Sequence, residues 1–405
     1  MPKWQKIFSF GGLTNVWMMK KIPLLCLLAW AGTFTSSAQE NKPAPPRARD
    51  MGIPFDGISG PNNAITDVPG VKVGYATLIE GQGKLEVGKG PVRTGLTVVL
   101  PTDDFSNYRS FPAAIFSLNG MGEMTAALYL QDYPLLYGPI GITNTNSVGV
   151  VRDAIGKWLF ERYSTGELFD FSFGLPVVAE TWDGGLNDIN GLHVKPEHVF
   201  AALENARDGK LEEGNVGGGT GMVCYEFKGG TGTASRLVAV DTAQYTLGVL
   251  VQANFGRRPE LTIAGVPVGR EMPQLMPKLN EPVRSDGSII VIVATDAPLL
   301  PWQLNLLAKR VSLGLARTGA TSHMGSGDIF LAFSTAETIA WDSNMDRLGA
   351  MLNPLLKATV EATDEAIGNA MVAAETMEGI NGNTVYAIPQ EELRKVLERY
   401  NRLAK

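Results

Sequence analysis

Asp286-Gly287-Ser288 runs without a break into Ile289-Ile290-Val291-Ile292-Val293-Ala294. The apolar, β-branched run predicts a buried strand. Glycine then serine at its head suits a hydroxyl that attacks the peptide bond just before it. Cleavage there would leave Ser288 as a new N-terminus carrying a hydroxyl and a free α-amine. An α-amine has a pKa of roughly 7.7–8, so near neutral pH it can act as general base for its own hydroxyl. One residue then fills two catalytic roles without a histidine. Asp-Gly ahead of apolar residues is also a hairpin signal, because glycine accepts the positive φ of tight turns. Taken alone, these nine residues favour the turn.

The flanks tip the balance. Gly256 to Ser285 is polar, proline-bearing and weakly patterned, as a loop leading to a cleavage point should be. Downstream, Pro301 starts a helix through Arg317 with Gly319 as its cap. Asp328 to Ser334 reads as strand, Met351 to Glu378 as helix, and Lys395 to Lys405 as a charged tail. Upstream, Val71–Gly74, Gly95–Pro101, Val223–Gly230 and Tyr245–Ala253 have strand character, whereas Gly122–Leu130, Val150–Tyr163 and Pro196–Arg207 have helical spacing. Apolar strands mixed with helices predict an α/β protein whose sheets are covered by helix layers.

The chain has 405 residues, 44% apolar and 19% charged, enough for a sizeable core. Its net charge of −6 gives no support for nucleic-acid binding. Lys20-Lys21, the apolar run Ile22–Trp30 and Ser36-Ser37-Ala38 follow the order of a secretory signal peptide, too short to span a bilayer comfortably. Residues 1–38 are therefore expected to leave, with 1–18 an upstream extension if Met19 is the true start. Cys26 would leave too, so Cys224 alone remains and no internal disulfide can form. The expected location is periplasmic or secreted, with no membrane association after the leader is removed. Residues 39–50, with prolines at 43, 45 and 46, read as a linker, and 51–405 as one catalytic domain.

Three segments carry candidate chemistry. Gly214-Asn215-Val216-Gly217-Gly218-Gly219-Thr220-Gly221-Met222 lacks the Gly-Lys-Ser/Thr ending of a phosphate loop, so its glycines are read as backbone packed closely against a reaction centre. Asn254 ends an apolar strand, where a carboxamide either forms a turn or donates to an oxyanion. Ser326 and Asp328 stand two apart ahead of a strand, either as an ordinary loop or as a hydroxyl and an acid that orient Ser288. His193, His198 and His323 lack metal-site spacing, and no metal or cofactor is expected. A Ser/His/Asp triad built on His323 stays open, although no nucleophile-elbow pattern accompanies it.

Together these segments resemble the DmpA-type aminopeptidases, a family of L-aminopeptidase/D-esterases and β-peptidyl aminopeptidases that mature by self-cleavage. The resemblance runs through Arg47–Asp50, Asn63–Val68, Gly141–Thr145, Pro176–Thr181, Glu213–Met222, Gly248–Asn254, Ala294–Leu299 and Ser326–Asp328. It implies an αββα sandwich of the N-terminal-nucleophile-like type, shared with ornithine acetyltransferase. It also implies self-cleavage at Gly287–Ser288 into 39–287 and 288–405, and a tetramer of such pairs. By position, Ser288 is the nucleophile, Asn254 the oxyanion donor, and Ser326 and Asp328 the supporting pair. The acid is glutamate in some members, so Asp328 shortens the reach by one methylene. A tyrosine is often found near Glu180–Gly185; here Trp182 is the only aromatic residue, which leaves a phenol-dependent role without a candidate. Glu180 is the candidate acceptor for a substrate ammonium, against the reading of a solvated strand-end carboxylate.

The expected activity is that of an exported serine aminopeptidase acting on short peptides, amides or esters with a free amino group, β-peptides included. An acyltransferase of the ornithine acetyltransferase type, which carries threonine at the cleavage point, and a non-catalytic binding protein on the same fold are the alternatives.

Overall fold

Two sheets lie face to face, and the alternation along their strands accounts for it. The strands are β1 (Lys72–Glu80), β2 (Val92–Leu100), β3 (Ser110–Gly120), β4 (Leu135–Tyr137), β5 (Ile140–Asn144) and β6 (Val177–Thr181). A short hairpin follows, β7 (Val223–Cys224) and β8 (Phe227–Lys228), then β9 (Gly230–Val240), β10 (Ala243–Phe255), β11 (Gly287–Thr295) and β12 (Gly327–Ser334). A last hairpin comprises β13 (Met377–Glu378) and β14 (Thr384–Val385). The helices are α1 (Ala127–Asp132), α2 (Val148–Tyr163), α3 (Pro196–Glu204), α4 (Val268–Glu271), α5 (Pro301–Arg317), α6 (Met345–Val372) and α7 (Gln390–Arg399). This computed structural model describes residues 45–166, 174–280, 287–337 and 345–404. The chain divides into Met1–Pro43 and Ala44–Lys405. The expected leader therefore lies outside the described residues, as does Asp286.

One sheet has four strands in the order β1-β2-β5-β6, the other six in the order β4-β3-β12-β11-β10-β9. In the six-stranded sheet β11 is central, antiparallel to β10 and parallel to β12. Its odd residues Ile289, Val291 and Val293 pack with α5 and α6 through Leu304, Leu307, Ala362 and Ala366. Its even residues Ile290, Ile292 and Ala294 share a core with Leu96, Val98 and Ile142 of the facing sheet. Both faces are therefore buried, which is why the run shows no polar alternation. Burying each such side chain is worth roughly 1.5–3 kcal/mol. Helices α2 and α3 cover the other side of the four-stranded sheet through Val151, Ile155 and Val199. The result is the helix–sheet–sheet–helix sandwich that the resemblance implied.

Several expectations need correction. The linker expected through Asp50 has already ended, because Ala48 is fully buried and Arg47 and Arg49 pair with Glu213 and Glu365. Helix α1 starts at Ala127 rather than Gly122, because Met124 and Thr125 bond to β6 along their backbone. Residues 223–230 form a two-strand turn, with Tyr225 and Glu226 at positive φ, instead of one strand. Helix α6 stops at Val372, and Met377–Glu378 pairs with Thr384–Val385. The charged tail begins inside α7, whose last five residues are Lys395–Arg399 and which is anchored by Leu393, Val396 and Leu397 at one-turn spacing. The Gly256–Ser285 segment buries Leu261, Ile263, Val266 and Val268, so much of it is packed.

Candidate active site

Ser288 is buried at the head of β11, with Asn254 of β10 opposite it and Gly327 of β12 beside it. It shares the parity of Ile290 and Ile292, so its side chain belongs to the face between the sheets. Its Oγ donates to the carbonyl oxygen of Gly287 at 2.6 Å and accepts from the Gly327 N–H at 3.3 Å. The hydroxyl thus rests against the carbonyl of the bond expected to break. Gly287 itself has φ +89°, and a Cβ there would stand 2.2 Å from the Asn254 carbonyl oxygen. Only glycine fits that position without a shift of backbone.

The Asn254 carboxamide is clamped at both ends. Its Oδ1 accepts from the Val223 N–H at 2.8 Å and its Nδ2 donates to the Trp182 carbonyl at 3.0 Å. An amide nitrogen has two hydrogens, so one remains for an oxygen in the site. On the other flank, Ser326 Oγ donates to Asp328 Oδ1 at 2.7 Å. Burial raises the Asp328 pKa, opposed by hydrogen bonds from Ser326, Ser322 and the Ile289 N–H. The acid therefore stands one residue away from the nitrogen that cleavage would free.

Glu180 is buried at the end of β6, which removes the reading as a solvated carboxylate. The Thr145 hydroxyl donates to its Oε2, and the Glu123 N–H donates to its Oε1 at 3.0 Å. Burial raises its pKa, and those two hydrogen bonds oppose the rise. A Cβ on Gly122 would lie 3.2 Å from Glu180 Oε1 and 3.1 Å from the Gly327 Cα, so the bare Gly122 backbone separates Glu180 from the Ser288 strand end. Trp182 contributes its carbonyl to Asn254 and also lines a cavity of about 240 Å³. That cavity is also lined by Asn254, Gly287, Glu226, Arg257 and Met276.

The structure thus brings Ser288, Asn254, Ser326 and Asp328 to one end of β10–β12, with Glu180 and Trp182 close by. His323 does not join them: its Nε2 faces Glu260 at 3.0 Å, and the triad reading falls. His193 pairs with Asp188 and His198 caps α3 through the Lys195 N–H. Among the described residues no group of three His, Cys, Asp or Glu side chains could hold a metal ion. Sequence reasoning missed Thr145, the Glu123 and Val223 N–H groups, and the Arg257 wall. Only Thr145 stood within a quoted motif; the backbone donors leave no side-chain signature.

The glycine segment is closely packed, but against Thr97, Gln252, Thr231 and Arg93 rather than against Ser288. A Cβ on Gly218 would fall 2.0 Å from Gln252 Oε1, and one on Gly221 2.3 Å from the Arg93 carbonyl. Behind it, Lys228 is fully buried, and its Nζ donates to the carbonyls of Gly229 at 2.8 Å and Gly219 at 3.3 Å. Among the described residues no acid pairs with it there, and burial lowers its pKa to about 7. A lysine pKa lowered on folding carries a penalty present in full below about 7 and relieved as pH rises toward the unfolded value. Lys228→Met removes that titration. The melting temperature of the variant minus that of the wild type should therefore be more positive at pH 6 than at pH 9, by the equivalent of about 1–3 kcal/mol. A difference independent of pH, measured by calorimetry, would show that the amine stays charged.

The model of Peptidase family S58 matches residues 63–385. Beta-peptidyl aminopeptidase BapA of Sphingosinicella microcystinivorans is 51% identical over 381 residues, covering 89% of this chain and 93% of that protein. BapA of Sphingosinicella xenopeptidilytica is 43% identical over 394 residues, covering 93% and 96%. Among solved structures, the L-aminopeptidase D-Ala-esterase/amidase of Ochrobactrum anthropi superposes with a TM-score of 0.79 at 44% identity, covering 89% of this chain and all of that one. That structure is described as a prototype for the serine aminopeptidases and a new variant of the Ntn hydrolase fold.

Proposed function

The chain belongs to peptidase family S58, and we propose that it is an exported, self-processing aminopeptidase that releases N-terminal residues, β-amino acid residues among them, from short peptides and amides. The observation that carries this reading is Ser288 Oγ against the Gly287 carbonyl, across the ladder from a clamped Asn254. The β-peptidyl preference is carried from the two BapA relatives, and export from the leader sequence. A tetramer of cleaved pairs belongs to the same proposal. The relatives compared are peptidases, so neither the acetyltransferase nor the non-catalytic reading gains support.

In the proposed reaction, Ser288 Oγ attacks the substrate carbonyl carbon while the freed α-amine of Ser288 takes its proton. The second Asn254 N–H and a backbone N–H at the strand end receive the developing oxyanion. The amine carries that proton to the leaving nitrogen, the scissile C–N bond breaks, and water then hydrolyses the ester on Ser288. Asp328 holds the new amine in place, and Glu180 accepts from the substrate ammonium.

The test is a pair of substrates, a β-alanyl amide and its N-acetyl derivative, given to the purified protein. Two chains, the second starting at Ser288, should be present. Acetylation should lower kcat/KM about 100-fold or more, because the buried Glu180 loses its charged partner. Equal turnover of both substrates would remove the aminopeptidase reading.

A further inference from the structure

We propose that Asp183 is a positioning residue of the oxyanion site: its buried carboxyl fixes the Trp182–Asp183 peptide, whose carbonyl aims the Asn254 amide. The inference rests on the proposed reading of Asn254 as the oxyanion donor and extends it one layer deeper into the protein.

The chain leaves β6 after Thr181, the last residue paired with β5. The next carbonyl, that of Trp182, accepts from Asn254 Nδ2 at 3.0 Å. Its direction decides which Asn254 amide hydrogen is left for the oxyanion. That carbonyl shares a planar peptide with the Asp183 nitrogen, so whatever fixes Asp183 also fixes the carbonyl. Asp183 is buried and held. Its Oδ1 accepts from Asn187 Nδ2 at 3.0 Å, and its own carbonyl accepts from the Leu186 and Asn187 N–H groups at 3.0 and 3.1 Å. The Asn187 carboxamide is itself oriented, because its Oδ1 accepts from the Arg93 N–H of β2 at 2.9 Å. A Cβ on Gly221 would stand 2.8 Å from Asp183 Cβ, two residues before Val223, which holds the other end of the Asn254 amide.

An acid is costly in this place. Asp183 Oδ2 makes no hydrogen bond among the described residues. Burial pushes the pKa up to about 6, and the groups that oppose the rise are the uncharged side chains of Thr94, Asn187 and Asn144. Asn144 Nδ2 donates to Thr94 Oγ1 at 2.7 Å, so the Thr94 hydroxyl keeps its own hydrogen for the acid. A turn that needed shape alone would be served by a neutral side chain at lower cost. A carboxylate only accepts, so it can gather donors from β2, β5 and the turn onto one residue. Strands β2 and β5 belong to the four-stranded sheet, whereas Asn254 belongs to the six-stranded one. The oxyanion donor is thus aimed by a residue anchored in the opposite sheet.

The experiment is a double-mutant cycle on a β-alanyl amide. Asp183→Asn, Asp183→Ala and Thr94→Val are each made in the wild type and in Asn254→Ala, and assayed as cut protein. In the wild type, Asp183→Asn should lower kcat about 10-fold and Asp183→Ala about 100-fold, with KM little changed. Thr94→Val should act in the same direction as Asp183→Asn. In Asn254→Ala each should change kcat less than about 2-fold, because no amide is left to aim. Equal losses in both backgrounds would assign Asp183 a general structural role. An unchanged kcat would show the carbonyl fixed without the acid, and a loss confined to KM would assign Asp183 to substrate binding. Each of these three results overturns the inference. Should Asp183→Ala fail to fold, the cycles through Asp183→Asn and Thr94→Val decide the question. Where a variant stays uncut, its self-cleavage rate on denaturing gels closes the same cycle. If Asn254→Ala by itself left kcat unchanged, the oxyanion reading of Asn254 would fall first, and the inference with it.

Discussion

Ser288→Ala should run as one uncut chain on a denaturing gel and retain no measurable aminopeptidase activity. The alanine keeps the backbone of β11 and its pairing with Asn254 and Gly327, so folding should be little disturbed. What it removes is the oxygen that donates to the Gly287 carbonyl at 2.6 Å. Without that oxygen no ester can form at the Gly287–Ser288 bond, the chain end is never made, and the amine that would serve as base stays locked in an amide. Nucleophile and base are lost together, so the fall in kcat should reach the scale seen when a catalytic serine is removed, on the order of 10⁶-fold. Circular dichroism and melting temperature close to wild type would show that the defect is chemical. A cut and active Ser288→Ala protein would falsify the assignment, since Ser288 Oγ is the hydroxyl placed against the Gly287 carbonyl.

Much of this was legible in the sequence because the relevant signals are local. The run Ile289–Ala294 announces a strand buried on both faces, and Pro301 with Gly319 brackets α5 at its observed ends. The resemblance added the sandwich and named the four residues that meet at the end of β10–β12. Elements whose boundaries depend on distant partners were not legible. Met124 and Thr125 look helical until β6 claims their backbone groups, and Met377–Glu378 continues a helical pattern until it meets Thr384–Val385. Helix α7 was hidden by its charges, because three apolar residues in ten are enough to anchor it. The same limit applies to the site. A backbone N–H has no letter in the sequence, so the Val223 and Glu123 donors could only emerge from the fold.

That backbone clamp is what makes Asn254 informative. Asn254→Ala should lower kcat on aminoacyl amides about 10²–10³-fold with little change in KM, the range for losing one preorganised oxyanion donor. The physical reason is preorganisation. With Oδ1 held by Val223 at 2.8 Å and Nδ2 by Trp182 at 3.0 Å, the amide is fixed before substrate arrives, and its second N–H needs no reorganisation as charge develops. A donor that strengthens only in the transition state acts on kcat rather than KM. Asn254→Asp sharpens the test. It preserves the shape and the bond from Val223 but replaces the donor with an anion that faces both the Trp182 carbonyl and the developing oxyanion. Turnover should therefore be lower than in the alanine variant at pH 8, and lowering the pH toward the point where the carboxyl protonates should recover part of the difference. The proposed self-cleavage would form the same kind of oxyanion on the Gly287 carbonyl, so both variants should also accumulate uncut chain, visible as a slow time course on denaturing gels. If Asn254→Ala matured at the wild-type rate and lost activity only through KM, the carboxamide would be a substrate contact and the oxyanion would have to be held by backbone N–H groups alone.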